Sequence, residues 1–223
     1  MDFAMKRQQM PGELRLAGII DERVLEAIRT VPRERFVPAQ RRHLTYSPLP
    51  VALGYGQALM PVGLSARMLQ ALALRGGERV LEIGTGSGYD AALLSHLAAE
   101  VVSTERVEPL RTSAAARLSE LGRTNVRLEA AASELGWTSG GPYEAIMVTA
   151  AAPAVPAGLM AQLAPGGRLL IPIGGRSQQQ LVLIRSDADG LHTERVAGCS
   201  MVPLVGDGGW PEVAMQEAPR PWF

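Results

Sequence analysis

Cysteine and histidine are scarce in this chain of 223 residues, which holds one cysteine, Cys199, and three histidines. A single cysteine excludes an internal disulfide bond, and a reducing compartment is its simplest home, so we predict a cytoplasmic location. His43, His96 and His192 stand far apart, without a cysteine or paired carboxylates at ligand spacing. We therefore expect no metal site.

An excess of charge of either sign is also missing, since 22 Lys and Arg balance 22 Asp and Glu. Binding to nucleic acid draws on counterion release by surplus Lys and Arg, and a chain of zero formal charge has no such surplus. Phe, Tyr and Trp make up only 4% of the residues, too few for a surface on which bases stack. These two absences predict that the chain has no nucleic-acid partner.

Long uninterrupted apolar runs are absent as well. The segments 43–66 and 145–167 carry no formal charge, but each contains several prolines and glycines. Prolines at that density interrupt a helix that would span a membrane. The first residues have no apolar run behind their charges, which argues against a signal peptide. We expect no membrane partner, and we interpret both uncharged segments as buried strands and pocket-lining loops.

Helical patterns dominate the first third of the chain. Asp21 is a candidate N-cap for a helix with apolar residues at helical spacing, and Val31-Pro32 ends that helix. A second helical pattern covers 65–74. The Pro- and Gly-rich segment 47–61 between them predicts an ordered loop or a short strand.

From residue 79 onward, strand patterns alternate with helical ones. Short apolar runs predict strands at 80–83, 101–104, 126–128, 145–148, 168–173, 180–184, 193–197 and 201–204. Helices are predicted at 91–97, 107–121 and 158–163, and none separates the last strands. This order is typical of an α/β fold with an open, mostly parallel sheet, an antiparallel edge strand and, here, an N-terminal helical extension.

The length suits a single domain over 1–223. We divide it into a helical N-terminal region with the Pro- and Gly-rich loop in 1–76, the sheet in 77–206, and a C-terminal tail in 207–223.

A glycine-rich loop, Gly84-Thr85-Gly86-Ser87-Gly88, stands between the strand at 80–83 and a helix. This is the nucleotide-loop arrangement of doubly wound folds, although a Gly-rich turn without a ligand is an alternative. The spacing is G-x-G-x-G, whereas G-x-G-x-x-G seats a pyrophosphate. Asp90 would also repel a pyrophosphate at the start of that helix. The loop therefore favours a ligand without phosphate.

Two carboxylates accompany the loop. Glu105 ends the second strand, where it can accept both ribose hydroxyls of an adenosine, or else pair with Arg106 as a solvated charge. Glu82 lies within an apolar strand, where its charge is costly unless a ligand amino group or water offsets it. S-adenosylmethionine (SAM) meets these conditions because it has an adenosine, no phosphate and a cationic methionine end. A NAD-dependent oxidoreductase fits the loop spacing less well.

Five motifs in one order carry a resemblance to a known family. They are Val-Pro-Arg-Glu-Arg-Phe-Val-Pro at 31–38, Gly-Tyr-Gly-Gln at 54–57, the segment 80–89, Val-Thr-Ala-Ala-Ala-Pro at 148–153 with Pro156, and Val-Pro-Leu at 202–204. With these motifs, the chain from about Gly18 to Gly206 resembles the protein-L-isoaspartate O-methyltransferases. The resemblance implies a Rossmann-like SAM-dependent methyltransferase fold, with methylation of the L-isoaspartyl carboxylate of damaged proteins as the first step of their repair.

The resemblance also implies two sets of site residues. For the cofactor SAM they are Glu82, Gly84, Thr85, Gly86, Ser87, Gly88, Tyr89, Glu105, Arg106 and Ala132. For the substrate they are Gln57, Leu59, Met60, Ala150, Ala151, Pro153, Val202 and Leu204. Gln57 could instead brace its own loop, and Met60 could be a core residue.

The chain departs from the family pattern at two places. The family loop continues Thr-Ile-Ser after Gly-Gln, whereas this chain has Ala58-Leu59-Met60 and lacks both hydroxyls, so no catalytic residue is assigned. The family Gly-Asp-Gly, whose Asp contacts adenine, becomes Ala131-Ala132-Ser133, and Ser133 or Glu134 could take over that contact.

Loss of the Ser hydroxyl does not abolish the implied chemistry. A carboxylate acceptor is ionised at neutral pH, so its methylation needs no general base and depends on holding the anion in line with the methyl group. Losing one orienting hydrogen bond costs on the order of 1–3 kcal/mol. We expect a monomeric carboxyl methyltransferase that acts on isoaspartyl proteins or peptides. The alternatives are a SAM-dependent methyltransferase with another carboxylate acceptor and a non-catalytic SAM-binding protein.

Overall fold

A helical region precedes the main sheet in the computed structural model, which describes residues 2–212. It contains helices α1 (Phe3–Leu16), α2 (Glu22–Thr30) and α3 (Val62–Leu72), 3₁₀ turns at Arg33–Phe36 and Ala39–Leu44, and a two-stranded antiparallel hairpin of β1 (Val51–Gly54) and β2 (Gln57–Leu59). The Asp21 side chain accepts from the backbone N–H groups of Arg23 and Val24, which confirms the predicted N-cap. Helix α1 was not predicted from the sequence.

One seven-stranded sheet forms the body of the molecule. Its strands are β3 (Arg79–Ile83), β4 (Glu100–Glu105), β5 (Val126–Ala130), β6 (Tyr143–Val148), β7 (Leu163–Gly174), β8 (Gln179–Asp187) and β9 (Gly190–Cys199). The spatial order is β5-β4-β3-β6-β7-β8-β9. The first five strands in this order are parallel, and β8 pairs antiparallel with β7 on one side and with the edge strand β9 on the other. The predicted α/β class, with a mostly parallel sheet, an antiparallel edge and an N-terminal helical extension, is confirmed.

The central strands β3 and β6 are buried on both faces, as their continuous apolar runs predict. Helices α4 (Tyr89–Leu94), α5 (Glu108–Glu120) and α6 (Ala157–Met160) complete the chain of elements. Two clusters of buried apolar side chains form the core. One of them includes residues of α1, α2 and α3, so the helical region shares a core with the sheet.

Two predicted elements differ in the structure. The segment 201–204 forms no strand, only an isolated bridge between Ala151 and Pro203, because Pro203 has no N–H to continue a ladder. The predicted helix at 158–163 ends at Met160, and the strand predicted from residue 168 already begins at Leu163. Pro165 and the two glycines after it lie where β7 shifts register against β6, between Leu163 and Arg168.

The predicted tail at 207–223 is described as far as Glu212, and 213–223 lie outside the described residues. None of the helices in 2–212 combines the length and apolar character that a membrane span requires. Over the same residues, no three His, Cys, Asp or Glu side chains are grouped to hold a metal ion.

Candidate functional site

Two adjoining cavities lie at the carboxyl ends of the parallel strands. The strand order reverses at β3, which pairs with β4 on one side and β6 on the other, and such a switch point is where open α/β sheets bind ligands. The larger cavity has a volume of about 310 Å³. The smaller cavity, of about 40 Å³, lies between the β1–β2 hairpin and the glycine loop. Both are lined by Ala58, Gly84, Gly86, Thr149 and Val202, so they form one continuous site.

The glycine loop bends tightly around the side chain of Thr149. Gly84, Gly86 and Gly88 all have positive φ, which other residues rarely adopt. A Cβ on Gly84 would lie 2.5 Å from Thr149 Oγ1, and that hydroxyl donates to the Gly84 carbonyl at 2.7 Å. Glycine is therefore required where the loop closes against the end of β6.

Glu105, at the end of β4, holds the glycine loop from the other side. Its two carboxylate oxygens accept from the N–H groups of Gly86 at 2.7 Å and Val107 at 2.8 Å. The side chain lines the larger cavity, as does Arg106. The alternative of an ion pair between Glu105 and Arg106 is not what the structure shows, because Arg106 pairs with Glu212 instead.

Glu82 lies on β3 below the loop and is fully buried. Ser103 Oγ donates to Glu82 Oε2 and lies 2.5 Å from Thr85 Oγ1, whereas Glu82 Oε1 has no partner among the described residues. Burial, together with the nearby carboxylates of Asp90 and Glu105, raises the pKa of Glu82 well above its usual value. A cationic group bound above this carboxylate would offset that cost.

Asp90, at the start of α4, is a second buried carboxylate and lines the smaller cavity. Its Oδ1 has no hydrogen-bond partner within 2–212. Burial raises the pKa of Asp90, and this rise is opposed by the nearby Ser65 hydroxyl and by the charge of Arg33. In the sequence, Asp90 only argued against a pyrophosphate ligand. Its place in the wall of the smaller cavity is found from the structure.

The β1–β2 hairpin forms the outer wall of the site. Gln57 and Ala58 line the larger cavity, and Ala58, Leu59 and Met60 line the smaller one. Gln57 Nε2 donates to the Tyr55 carbonyl at 3.3 Å, so in this state its amide braces the hairpin turn. The wall that the hairpin offers to the smaller cavity is apolar.

Arg33 anchors the chain that leaves this hairpin. The side chain is buried, and it donates to the carbonyls of Thr45 at 2.8 Å and Met60 at 2.5 Å. Its guanidinium lies 4.5 Å from the ring centroid of Tyr89. The motif at 31–38 is therefore part of the scaffold that fixes Met60.

The segment 131–135, after β5, forms one wall of the larger cavity. Ala131, Ala132, Ser133 and Leu135 line it, whereas Glu134 is exposed and is not among the lining residues. Of the two candidates to replace the family Asp at Ala132, only Ser133 therefore lies in the cavity wall.

Several predicted site residues do not line the site. Glu82, Gly88, Tyr89, Ala151 and Pro153 line neither cavity. A Cβ on Gly88 would lie 3.0 Å from Ala114 Cβ, so this glycine allows α4 and α5 to pack closely. Ala151 exchanges backbone hydrogen bonds with Val202 and Leu204, and this pairing holds the lining residues Val202 and Leu204 in place. Ala150 lines the larger cavity as predicted.

Other lining residues were not nominated from the sequence. The structure adds Pro50, Leu53, Ile83, Asp90, Thr104, Ala131, Leu135, Thr149, Ser200, Met201, Pro203, Val205, Gly206 and Glu212. Thr149 had a usable signal, since it directly follows the buried strand β6, at the sheet edge where ligands bind. The segment after Val205 had no signal in the sequence that pointed to the site, because its position depends on how the chain returns across the sheet.

The fold and the cleft together define a Rossmann-like protein with a nucleoside-sized site at the switch point of its sheet. Comparisons with known proteins identify the family. Residues 5–209 match the model of the protein-L-isoaspartate(D-aspartate) O-methyltransferase family, PCMT. The chain belongs to this family.

Named relatives agree over nearly the whole chain. Protein-L-isoaspartate O-methyltransferase 1 of Rhodopseudomonas palustris is 45% identical over 223 residues, which cover 98% of this chain and 91% of the relative. The Roseiflexus sp. protein-L-isoaspartate O-methyltransferase is 43% identical over 210 residues, covering 94% of this chain and 96% of the relative.

Solved structures show the same fold. A protein-L-isoaspartate O-methyltransferase structure superposes with a TM-score of 0.80 at 26% identity, covering 91% of this chain and 67% of the other. A second structure is that of a Plasmodium falciparum protein described as a putative PCMT, solved in complex with S-adenosyl-L-homocysteine. It has a TM-score of 0.76 at 24% identity, and the match covers 88% of this chain and 96% of the other.

Proposed function

We propose that this protein transfers a methyl group from SAM to the L-isoaspartyl carboxylate of damaged proteins or peptides. The observation that carries this proposal is the junction of the two cavities at Gly84 and Thr149. A nucleoside in the larger cavity would have its reactive end at the entrance of the smaller one, where an acceptor can enter.

The residues present suit SAM. The glycine loop lines both cavities at Gly84 and Gly86, and Glu82 Oε1 and Asp90 Oδ1 are buried oxygens without partners in the described chain. Glu105 would accept from the ribose hydroxyls, and Ala132 with Ser133 would enclose the adenine. Asp90, which lines the smaller cavity, would favour the cationic methionine end of SAM. Bound SAM supplies a methyl group on a positively charged sulfur.

The chain's own task is to position and dehydrate an anion. A carboxylate acceptor is already ionised at neutral pH, so no residue has to remove a proton. Leu59, Met60 and Met201 line the smaller cavity and would exclude water from the acceptor oxygen. The fixed loop around Met60, held by Arg33, would keep that oxygen in line with the methyl group.

Transfer of labelled methyl from SAM tests the proposal. The acceptor is a synthetic peptide with one isoaspartyl residue, and the matched control is the same peptide with a normal aspartyl residue. We expect base-labile methyl ester with the first peptide and none above blank with the second. Absence of ester from both peptides, with protein that binds S-adenosylhomocysteine, contradicts the proposal.

A different carboxylate acceptor is the second candidate, favoured by the apolar wall of Ala58, Leu59 and Met60. The double variant Ala58→Thr/Met60→Ser offers hydroxyls on that wall. If the acceptor is isoaspartate, the unchanged protein methylates the isoaspartyl peptide well and the variant gains little. A gain on the isoaspartyl peptide from a negligible starting rate would favour the second candidate.

The single-domain division, the monomeric state, the cytoplasmic location and the absence of a nucleic-acid partner stay predictions. Sedimentation equilibrium at several protein concentrations tests the monomer, and a concentration-dependent mass would contradict it.

A further inference from the structure

The smaller cavity has one polar side chain at its mouth that the proposed function does not yet use, Ser200. It follows β9 and faces the hairpin residues Ala58, Leu59 and Met60 across the cavity they all line. Accepting the proposed function, we infer that the Ser200 hydroxyl donates a hydrogen bond to the acceptor carboxylate and thereby helps to select it.

The backbone around Ser200 is held firmly. The Met201 N–H donates to Gln179 Oε1 at 2.8 Å, and the buried Gln179 side chain is itself fixed by a bond from Nε2 to the Gly175 carbonyl at 2.7 Å. One residue further on, Val202 accepts from the Ala151 N–H at 2.8 Å. Ser200 therefore has a defined position although its own side chain is exposed.

The other hydroxyls that line the cavity already have hydrogen-bond partners or lie in the part of the site that we assign to SAM. Thr149 Oγ1 donates to backbone carbonyls, and Thr85 Oγ1 is 2.5 Å from Ser103 Oγ. Ser87 is buried in the glycine loop that we assign to SAM. Among the described residues the Ser200 side chain has no hydrogen-bond partner, so its hydroxyl is available to an incoming anion.

The rest of the cavity makes such a donor necessary. The hairpin wall is apolar, and Asp90 adds a carboxyl group that offers no attraction to another carboxylate. Hydrogen bonds to ionised groups are shorter and stronger than neutral ones, and removing one from a desolvated carboxylate costs about 10- to 100-fold in binding.

The test compares Ser200→Ala with Ser200→Thr, which keeps the hydroxyl. With the isoaspartyl peptide as the varied substrate, we expect Ser200→Ala to raise KM about tenfold or more with kcat within about threefold. Ser200→Thr should stay close to the parent. Calorimetric affinity for S-adenosylhomocysteine should not change in either variant. Ser139→Ala is the matched control, because Ser139 is exposed in the 3₁₀ turn at Thr138–Gly140, near the amino end of β3.

Ser87→Ala provides the contrast on the donor side. It should weaken S-adenosylhomocysteine binding more than it raises the peptide KM. An unchanged KM in Ser200→Ala, or equal losses in the Ala and Thr variants, overturns the inference while leaving the proposed function intact. If the parent protein methylates no isoaspartyl peptide, the proposed function itself fails.

Discussion

Three carboxylates, Glu82, Asp90 and Glu105, surround the glycine loop, and they are satisfied to different degrees. Glu105 accepts two backbone hydrogen bonds, whereas Glu82 and Asp90 each retain a buried oxygen without a partner in the described chain. A buried carboxylate that lacks partners costs free energy in the protein without ligand. We propose that Asp90, which lines the smaller cavity, faces the cationic end of SAM, at the expense of the stability of the empty protein.

Glu105→Ala should weaken S-adenosylhomocysteine binding by about 10- to 100-fold, because it removes the acceptor that we propose for the ribose hydroxyls and also frees the Gly86 N–H that orders the loop. Isothermal titration calorimetry measures this change. Glu100→Ala is the control, since Glu100 begins the same strand and, among residues 2–212, its side chain pairs only with exposed Arg79. Equal losses in both variants would contradict a specific role for Glu105.

Glu82→Gln should stabilise the protein without ligand at high pH. The raised pKa of Glu82 means that the folded protein keeps a proton that the unfolded chain loses. In the unchanged protein, the contribution of protonated Glu82 to stability is complete below the pKa of this group in the unfolded state. It is lost as pH rises through the higher pKa of the folded state. Urea denaturation from about pH 5 to about pH 8 should therefore show a smaller decline in the variant, which gains about 1–3 kcal/mol at the upper end. Identical pH profiles for the two proteins would refute this account.

The buried Arg33 side chain bonds to the chain on both sides of the β1–β2 hairpin, at Thr45 before β1 and at Met60 after β2. Arg33→Met removes the bonds to the Thr45 and Met60 carbonyls and the contact with Tyr89. We expect kcat/KM for the isoaspartyl peptide to fall at least about tenfold, with S-adenosylhomocysteine affinity changed less than about threefold. Arg35→Met, in the same 3₁₀ turn, removes only an exposed pair with Glu120 and should have little effect. If S-adenosylhomocysteine affinity falls more than kcat/KM for the peptide, Arg33 acts on cofactor binding and not on the position of the acceptor.

Most elements could be predicted from the sequence because their signals are local. The apolar run of β6, the cap at Asp21 and the positive-φ glycines each depend on neighbouring residues alone. The segment 201–204 has the composition of a strand, but Pro203 and its pairing with Ala151 decide otherwise. The roles of Asp90 and Ser200 depend on contacts between distant parts of the chain, which periodicity does not contain.

Over the whole molecule, the chain after β9 returns across the carboxyl ends of the strands and closes the larger cavity. The Asp207 N–H donates to the Ser133 carbonyl at 2.7 Å, and the Trp210 N–H donates to the Leu204 carbonyl at 2.7 Å. Beyond them, Glu212 pairs with Arg106, and both residues line the cavity. The contacts of Asp207 with Ser133 and of Glu212 with Arg106 therefore connect the segment after β9 to the loops that follow β4 and β5, next to the larger cavity.

Breaking the pair of Arg106 and Glu212 should speed the release of S-adenosylhomocysteine. The two side chains are 36% and 71% exposed, so the pair is a surface ion pair and contributes at most about 1 kcal/mol. Glu212→Gln should therefore raise the dissociation rate by about two- to fivefold and reduce its dependence on ionic strength, both measured by stopped-flow displacement. The reversed pair Arg106→Glu/Glu212→Arg restores the attraction and should bring release back toward the parent rate. If the reversed pair releases the ligand as fast as Glu212→Gln does, the attraction between these two charges does not hold the cavity closed.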